Sequence, residues 1–275
     1  MIITMDLLSH FDDYLCLDER SSATREKYLR HAERFRRWLD GEEVSKEAVI
    51  AWKASLTGAV STINGAISAV NSLLSFLGHP DWKVKQLRVQ RRIYRPENRD
   101  LTKDEFIRLV RTAENQGNVR LARAIETIAA TGIRVSELKH ITMESLTERE
   151  VNIYNKGKIR TILLTADLCR KLKQYCRERG IASGPVFITR SGRPMRRTQL
   201  WAEMKRLCHA AGVTPGKVFP HNLRHLFAVI HYRLHRDLAK LADLLGHSSV
   251  NTTRIYLIET GKEHHAQLEA MHMVL

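Results

Sequence analysis

Apolar side chains recur at helical spacing throughout residues 1–80. In the segment 22–40 they lie three or four positions apart and form one stripe, which comprises Tyr28, Leu29, Ala32, Phe35 and Leu39. A second stripe follows Ser45, a suitable N-cap, and a third ends before Gly78 and Pro80, which close a helix. Together with residues 7–17, the pattern predicts four helices that can pack as a small bundle.

The helical pattern stops between residues 81 and 100. This segment has no apolar period and carries many Lys and Arg residues, which predicts an extended basic linker. A helical pattern resumes at residue 101, with Thr102 as N-cap and Glu105 at the capping-box position. The sequence therefore predicts two domains, 1–80 and 101–275.

The second predicted domain is helical apart from one β-rich interruption. Residues 151–154 and 159–164 are rich in β-branched side chains, and the four residues between them include Gly157. Such flanks around a glycine-containing turn are typical of a β-hairpin. The predicted fold class is mainly α with a small β-sheet: a helical N-terminal domain followed by a mixed α/β C-terminal domain.

Charge and composition indicate which kind of partner the protein binds and in which cellular compartment it acts. The chain has 45 Lys and Arg against 30 Asp and Glu, a net charge of +15, which attracts a polyanion such as nucleic acid. A basic protein with no nucleic-acid role remains the alternative. No stretch approaches the roughly 20 apolar residues of a membrane span, and the acidic start is unlike a signal peptide. The four cysteines form no CxxC pair, which indicates reduced thiols in the cytoplasm.

Several basic side chains are candidates for contact with DNA. Four lie on the first basic helix, away from its apolar stripe, and two lie in the linker; they are Arg25, Lys27, Arg30, Arg34, Arg91 and Arg92. Basic helix faces also serve simply to keep a protein hydrated. The net charge of the chain favours phosphate contacts at these positions without excluding that alternative.

Three polar residues share one face of a predicted helix near the end of the chain. His221, Arg224 and His225 lie at i, i+3 and i+4. Two histidines four apart can bind zinc, but a metalloprotease needs glutamate where Asn222 stands, and Arg224 would place a cation beside the metal. A guanidinium flanked by imidazoles suits an anion better, because it can donate to two phosphate oxygens. We therefore expect no metal here.

Two further cations stand at structural breaks. Arg134 follows a Thr-Gly break and lies near a helix start, where backbone N–H groups also favour an anion. Lys156 lies at the predicted hairpin tip, and Lys158 lies two residues on. An exposed lysine in a turn is, taken alone, most often only hydrated.

Together these residues resemble those of the tyrosine recombinases, also called the phage integrase family. The shared features are Arg134 in TGIRVSEL, Lys156 in a β-turn, the HNLRH motif, and LGH ahead of Tyr256. They occur in the family's order and follow a basic helical unit, so the resemblance covers nearly the whole chain. It implies a helical core-binding domain and a catalytic domain of the DNA breaking-rejoining type.

The resemblance implies a role for each motif residue. Tyr256 would attack the scissile phosphate and become joined to the 3′ phosphate, with no metal and no ATP. Arg134 and Arg224 would bind the non-bridging oxygens. His221 would act as general base or donate to the phosphate, and His247 would donate to the same phosphate. Lys156 would be the general acid, and Glu137 would stabilise the active-site residues around it. Lys158 could replace Lys156, because Asn155 stands where the family has glycine, and His225 would only support its neighbours.

The resemblance also implies partners and leaves rival functions open. We expect double-stranded DNA, a dimer on each site and a tetramer in the synapse, and a C-terminal tail helix carrying Leu268, Met271 and Leu275. The expected reaction is the integration, excision or resolution of DNA, which are reactions that mobile elements use. A type IB topoisomerase uses a similar residue set to relax DNA, and a non-catalytic DNA-binding protein could keep the same fold.

Overall fold

The computed structural model describes residues 1–88, 99–155, 158–247, 249–257, 269–271 and 273. The chain divides into two compact units, Met1–Arg91 and Arg92–Leu275. Each has its own hydrophobic core. Within the described ranges, no helix combines the length and the apolar character that crossing a membrane requires.

Four helices build the first unit, as the apolar stripes predict. They are α1 (Met5–Leu17), α2 (Ser22–Leu39), α3 (Lys46–Ser55) and α4 (Val60–Phe76). Ser45 caps α3 by accepting a hydrogen bond from the Ala48 backbone N–H, as expected. Phe35 and Leu39 of the predicted α2 stripe are buried, so this stripe faces the core of the bundle.

The first residues of the predicted linker are bound to this unit. After a 3-10 turn at Pro80–Trp82, the chain runs extended along α4. The Asn71 side chain accepts from the Val84 backbone N–H at 3.0 Å and donates to its carbonyl at 2.9 Å. Asn64 makes the same pair of hydrogen bonds to Leu87, at 2.8 and 2.9 Å. These side-chain amides take the place of a neighbouring strand, so residues 83–87 are held on the bundle. Residues 89–98 lie outside the described ranges.

The second unit contains the remaining helices. The α-helices are α5 (Lys103–Asn115), α6 (Val119–Thr131), α7 (Met143–Glu148), α8 (Ala166–Arg179), α9 (Arg197–Ala210), α10 (Pro220–His235), α11 (Leu238–Leu245) and α12 (Val250–Arg254). Shorter 3-10 helices span Val135–His140, Pro215–Lys217 and Ile255–Leu257. The predicted capping box is present at the start of α5, where Thr102 and Glu105 bond each other's backbone N–H groups.

The predicted hairpin is the sheet of this unit. β1 (Glu150–Asn155) and β2 (Lys158–Leu163) pair antiparallel, with Val151 opposite Ile162. Both of those side chains are buried, whereas Tyr154 and its partner Ile159 are exposed. The sheet therefore packs one face on the core. The turn residues 156–157 lie outside the described ranges.

Two apolar clusters position the C-terminal elements. The larger surrounds α6, whose Leu121, Ile125 and Ile128 are fully buried. A smaller cluster joins Ala228 of α10, Leu241 and Leu245 of α11, and Tyr256. It holds the last described turns against α10. Of the tail, residues 258–268, 272 and 274–275 lie outside the described ranges, including Leu268 and Leu275 of the predicted helix.

Candidate active site

Segments far apart in the sequence converge around α10. The turn after α6 brings Arg134, α10 brings His221, Arg224 and His225, and the segment after α11 brings His247 and then Tyr256. Those motif residues that the structure describes are thus assembled in one unit of the chain. Among the described residues, no group of three His, Cys, Asp or Glu side chains could hold a metal ion.

Arg224 is the most deeply buried of these cations. Its side chain donates to the Gly132 carbonyl at 2.6 Å and to the Leu245 carbonyl at 2.7 Å. These carbonyls end α6 and α11, where the helix dipole places partial negative charge. Burial, followed by repulsion from Arg134, lowers the pKa of Arg224. Since the compensating groups are dipoles, the guanidinium keeps a full positive charge for an anion.

Gly132 is required for this arrangement. It ends α6 in the left-handed conformation, with φ of +63°, which costs glycine little. A Cβ there would lie 2.6 Å from Cδ1 of Phe227, closer than van der Waals contact allows. The absence of a side chain lets the end of α6 pack against Phe227 and Leu245, with the Gly132 carbonyl bound to Arg224.

The His247 ring lies between the guanidinium of Arg224 and the hydroxyl of Thr253. Its Nε2 lies 3.0 Å from Nη2 of Arg224, and its Nδ1 lies 2.8 Å from the Thr253 hydroxyl oxygen. Arginine can only donate, so Nε2 accepts, and the ring proton lies on Nδ1 and points to Thr253. Burial, and then the charge of Arg224, lowers the pKa of His247 to about 4. The imidazole is therefore neutral at neutral pH.

Tyr256 lies among histidine rings. Only 7% of the residue is exposed. Its ring centroid is 5.3 Å from that of His225, 5.9 Å from that of His221 and 5.8 Å from that of His247, to which it is nearly parallel at 12°. The tyrosine thus adjoins every histidine that the motifs single out.

Glu137 fixes Arg134 at the start of the 3-10 helix Val135–His140. Its carboxylate accepts from the Arg134 backbone N–H and from its side-chain Nη1, both at 2.9 Å. The Glu137 side chain is 6% exposed, whereas that of Arg134 is 39% exposed. The buried carboxylate orients the guanidinium while part of it remains open to a ligand.

The two flanking histidines of α10 have different surroundings. His225 is buried, and its Nε2 lies 3.2 Å from the Asp100 carboxylate. His221, one turn earlier, is exposed. Asn222 anchors residue 99 by donating to its carbonyl at 2.9 Å. The segment before α5 thus passes behind α10, and His221 faces outward.

The predicted lysines belong to the turn of the β-hairpin. Lys156 lies outside the described residues, and Lys158 is described only by its backbone, paired with Asn155 at the end of the hairpin. One arginine of the site escaped the sequence analysis. Arg160 on β2 lies 3.3 Å from the Glu137 carboxylate. A cation at an inward position of a strand, two residues before the buried Ile162, was the signal that could have identified it.

The predicted DNA-binding residues of α2 fall into two classes. Arg25 forms two hydrogen bonds to Asp12, at 2.7 and 2.6 Å, and this bonding lowers the pKa of the Asp12 carboxyl. Lys27, Arg30 and Arg34 are exposed. The charge of Arg25 is therefore already compensated within the bundle. Arg91 and Arg92 lie outside the described residues.

Comparison with known sequences agrees with the motif order. The family model described as the phage integrase family matches residues 99–263. Tyrosine recombinase XerD of Xanthomonas axonopodis pv. citri is 36% identical over 163 residues, covering 54% of this chain and 53% of that protein. Tyrosine recombinase XerD of Pseudomonas aeruginosa is 27% identical over 273 residues, covering 91% of each. The chain spans about half the length of the first curated relatives it matches.

Solved structures share the fold. XerH site-specific recombinase bound to difH substrate superposes with a TM-score of 0.69 and 21% identity, covering 90% of this chain and 79% of that one. A lambda integrase dimer bound to a COC′ core site gives a TM-score of 0.71 and 17% identity, covering 92% and 94%. The predicted mainly α fold with a small sheet is confirmed. With its family model matched over more than half its length, the chain belongs to the phage integrase family.

Proposed function

We propose that this protein is a site-specific DNA recombinase that cleaves and rejoins double-stranded DNA through a covalent 3′-phosphotyrosine at Tyr256. The observation that carries the proposal is the contact of the Tyr256 ring with the histidines that flank the buried Arg224. A hydroxyl nucleophile beside a cation that lacks a carboxylate partner suits attack on a phosphate diester.

Each motif residue has its own role in the proposed phosphoryl transfer. In the proposed mechanism, Arg134 and Arg224 bind the non-bridging oxygens and stabilise the charge of the transition state. His221, exposed on α10, takes the hydroxyl proton or donates to the phosphate. His247 binds the same phosphate after its Nε2 gives up the contact with Arg224: the ring proton moves from Nδ1 to Nε2, which donates to a phosphate oxygen, while Nδ1 accepts from the Thr253 hydroxyl.

The leaving group and the reverse reaction complete the cycle. Lys156, or Lys158 in its place, protonates the departing 5′ oxygen. The phosphotyrosine bond conserves the energy of the cleaved diester, so a second 5′ hydroxyl can attack it and release Tyr256. Glu137 and His225 support the arginine and histidines around them. No step calls for a metal or a nucleotide.

We further propose that the protein acts in the cytoplasm as a dimer on each site and as a tetramer in the synapse. The support comes from relatives of the same fold: a lambda integrase dimer bound to a core site, and a lambda integrase tetramer bound to a Holliday junction. Exchange between two sites requires four cleaved strands. The exposed cations of α2 supply sequence-independent phosphate contacts.

Covalent trapping tests the reaction. The DNA flanking the gene is first searched for an inverted repeat. The substrate is a nicked duplex that carries this candidate site, and the readout is a denaturation-resistant protein–DNA adduct. We expect wild type to form the adduct and Tyr256→Phe to form none. A wild type without adduct, or a Phe variant with an equal yield, contradicts the mechanism.

The DNA products formed from two sites distinguish a recombinase from a DNA-relaxing topoisomerase. Two such sites are placed on one supercoiled plasmid, and the products are mapped. Junctions between the sites are expected of a recombinase. Relaxed circles without junctions would instead indicate an activity of the type IB topoisomerase kind, and binding without either product would indicate a non-catalytic protein.

A further inference from the structure

Arg160 reaches the candidate active site from the sheet. Its side chain is 10% exposed, and Nη1 lies 3.3 Å from Oε2 of Glu137. The other carboxylate oxygen of Glu137 accepts from Arg134. One buried carboxylate is therefore bound between two guanidiniums, so a change at Arg160 alters the group that orients Arg134.

Arg160 also packs on the turn that precedes His247. Gly246 ends α11 with φ of +63°. A Cβ at this position would overlap Cδ of Arg160 and lie 3.0 Å from its Nε. The Arg160 side chain thus covers the peptide between Leu245, whose carbonyl accepts from Arg224, and His247, whose ring contacts Arg224.

Two nitrogen donors of Arg160 are buried without hydrogen-bond acceptors among the described residues. Nε and Nη2 are inaccessible to solvent, and neither has a hydrogen-bond partner in the part of the chain that the structure describes. Burial lowers the pKa of Arg160 to about 10, against the attraction of Glu137. A buried charge with unmet donors is unfavourable for folding, and a well-packed apolar side chain is often as stable or more stable there. Stability alone therefore does not account for an arginine at this position.

We propose that Arg160 is a positioning residue that holds both phosphate-binding arginines in place, Arg134 through Glu137 and Arg224 through the Gly246–His247 turn. This inference rests on the proposed function of the site. Arg160 does not attack, protonate or bind the reacting atoms in this role. Its charge orients Glu137, and its stem sets the position of the turn. The two effects require a long basic side chain at this position of β2.

Arg160→Met tests the role, because it keeps an unbranched stem that reaches about as far as Nε and removes the charge. Three quantities are measured: the melting temperature without DNA, the dissociation constant for the nicked duplex, and the single-turnover rate of adduct formation at saturating protein. Arg160→Lys restores the charge. Arg170→Met, at an exposed arginine of α8 paired with Asp167, is the matched control.

The positioning role predicts a specific combination. Arg160→Met keeps or raises the melting temperature and binds DNA within about threefold of wild type, yet cleaves about tenfold more slowly or worse, as misplaced catalytic groups do. Arg160→Lys recovers most of the rate, and Arg170→Met behaves as wild type.

Other outcomes overturn the inference. A wild-type cleavage rate in Arg160→Met shows that the charge is dispensable. A lowered melting temperature with a rate loss that Arg160→Lys fails to repair shows a purely structural role. Adduct formation by wild type is the separate test of the proposed function, because the Arg160 comparison is made relative to that rate.

Discussion

A single guanidinium, that of Arg224, joins the ends of two helices and the ring of a histidine. Its partners are neutral, so the positive charge is stabilised without being cancelled. A carboxylate in the same place would neutralise the site and repel a phosphate. At the scale of one residue, the site is thus built to retain charge in a buried position, and Arg134, fixed by Glu137, supplies a second and more exposed cation.

Substituting each arginine by lysine separates charge from geometry. Arg224→Lys keeps the charge but cannot serve both the Gly132 and Leu245 carbonyls. Each buried acceptor left unmet costs about 1–3 kcal/mol, so we expect the free energy of unfolding to fall by about 3 kcal/mol. Arg134→Lys, at a partly exposed position, should change it by less than about 1 kcal/mol.

Both lysine variants should cleave more slowly, by about 100-fold, because both lose the forked geometry toward the phosphate. Urea denaturation and the adduct assay measure the two effects. Equal destabilisation by the two variants would contradict the view that Arg224, unlike Arg134, joins the ends of α6 and α11.

The neutral state of His247 makes folding sensitive to acid. In the folded protein its pKa is about 4, below the ordinary value of 6.5. Between these values the unfolded chain binds a proton that the folded protein does not, so the free energy of unfolding falls as pH drops from about 6.5 toward 4. The contribution is at most about 3 kcal/mol.

Urea denaturation at pH 7 and pH 4.5 measures this effect, with His247→Asn as the comparison. The variant should lose less stability than wild type across the interval. His31 and His231, whose pKa values burial also lowers, remain in both proteins and cancel in the difference. An identical loss in both proteins would show that His247 does not titrate in this way.

At the scale of elements, local signals predicted the helices and the hairpin, and nonlocal contacts defined the site. The Thr102 capping box and the stripe through Phe35 act within a few residues, so the sequence reveals them. The bond from Arg224 to Gly132 joins residues 92 positions apart, and no periodicity encodes it. Alternation along β2 marks Arg160 as inward-facing, but it does not reveal its partner Glu137, which precedes it by 23 residues, across α7 and β1.

The grouping of the motif residues beyond α10 came only from a family resemblance. Chemistry alone grouped His221, Arg224 and His225, because they share a helix face. Placing His247 and Tyr256 beside them required the fold. The catalytic roles of all these residues stay predictions until the adduct assay is done.

A pair of glycines tests the packing between α11 and the sheet. Gly246 and Gly180 both end helices with positive φ, at +63° and +68°. Alanine at either position should cost about 1 kcal/mol of backbone strain. Only Gly246→Ala also displaces Arg160, since no described atom lies within 4 Å of a Cβ at Gly180.

We therefore expect Gly246→Ala to be the less stable of the two variants and to slow adduct formation, while Gly180→Ala cleaves normally. Thermal melting and single-turnover cleavage give the comparison. Equal behaviour of the two variants would mean that the turn accommodates a side chain without moving Arg160.

At the scale of the whole molecule, the net charge is +15, but only some of the basic side chains are available for binding. Ion pairs such as Arg25 with Asp12 are satisfied within the first unit. Arg30 and Arg34 project from the same helix and are exposed. Under the proposed function, the cations that can release counterions from DNA are therefore a subset of those that the composition counts.

Salt dependence distinguishes the two kinds of cation. Arg34→Gln should weaken binding to a generic duplex and reduce the slope of log K against log salt by about one, the loss of one phosphate contact. Arg25→Gln should leave the slope unchanged and lower the melting temperature, because it leaves Asp12 unpaired. Fluorescence anisotropy from low to high salt provides the slopes. A smaller slope in Arg25→Gln would show that this arginine leaves Asp12 to bind DNA.

Under the proposed function, the burial of Tyr256 affects how long a DNA break can be held open without being lost. The ring is a member of a small apolar cluster, and 93% of the residue is shielded from solvent. An ester formed at this position would be shielded from water, the most abundant competing nucleophile in the cell. Hydrolysis would leave a permanent nick, whereas a shielded ester waits for the hydroxyl end of a DNA strand. The packing that stabilises this corner of the fold would thereby keep each break repairable by the enzyme that made it.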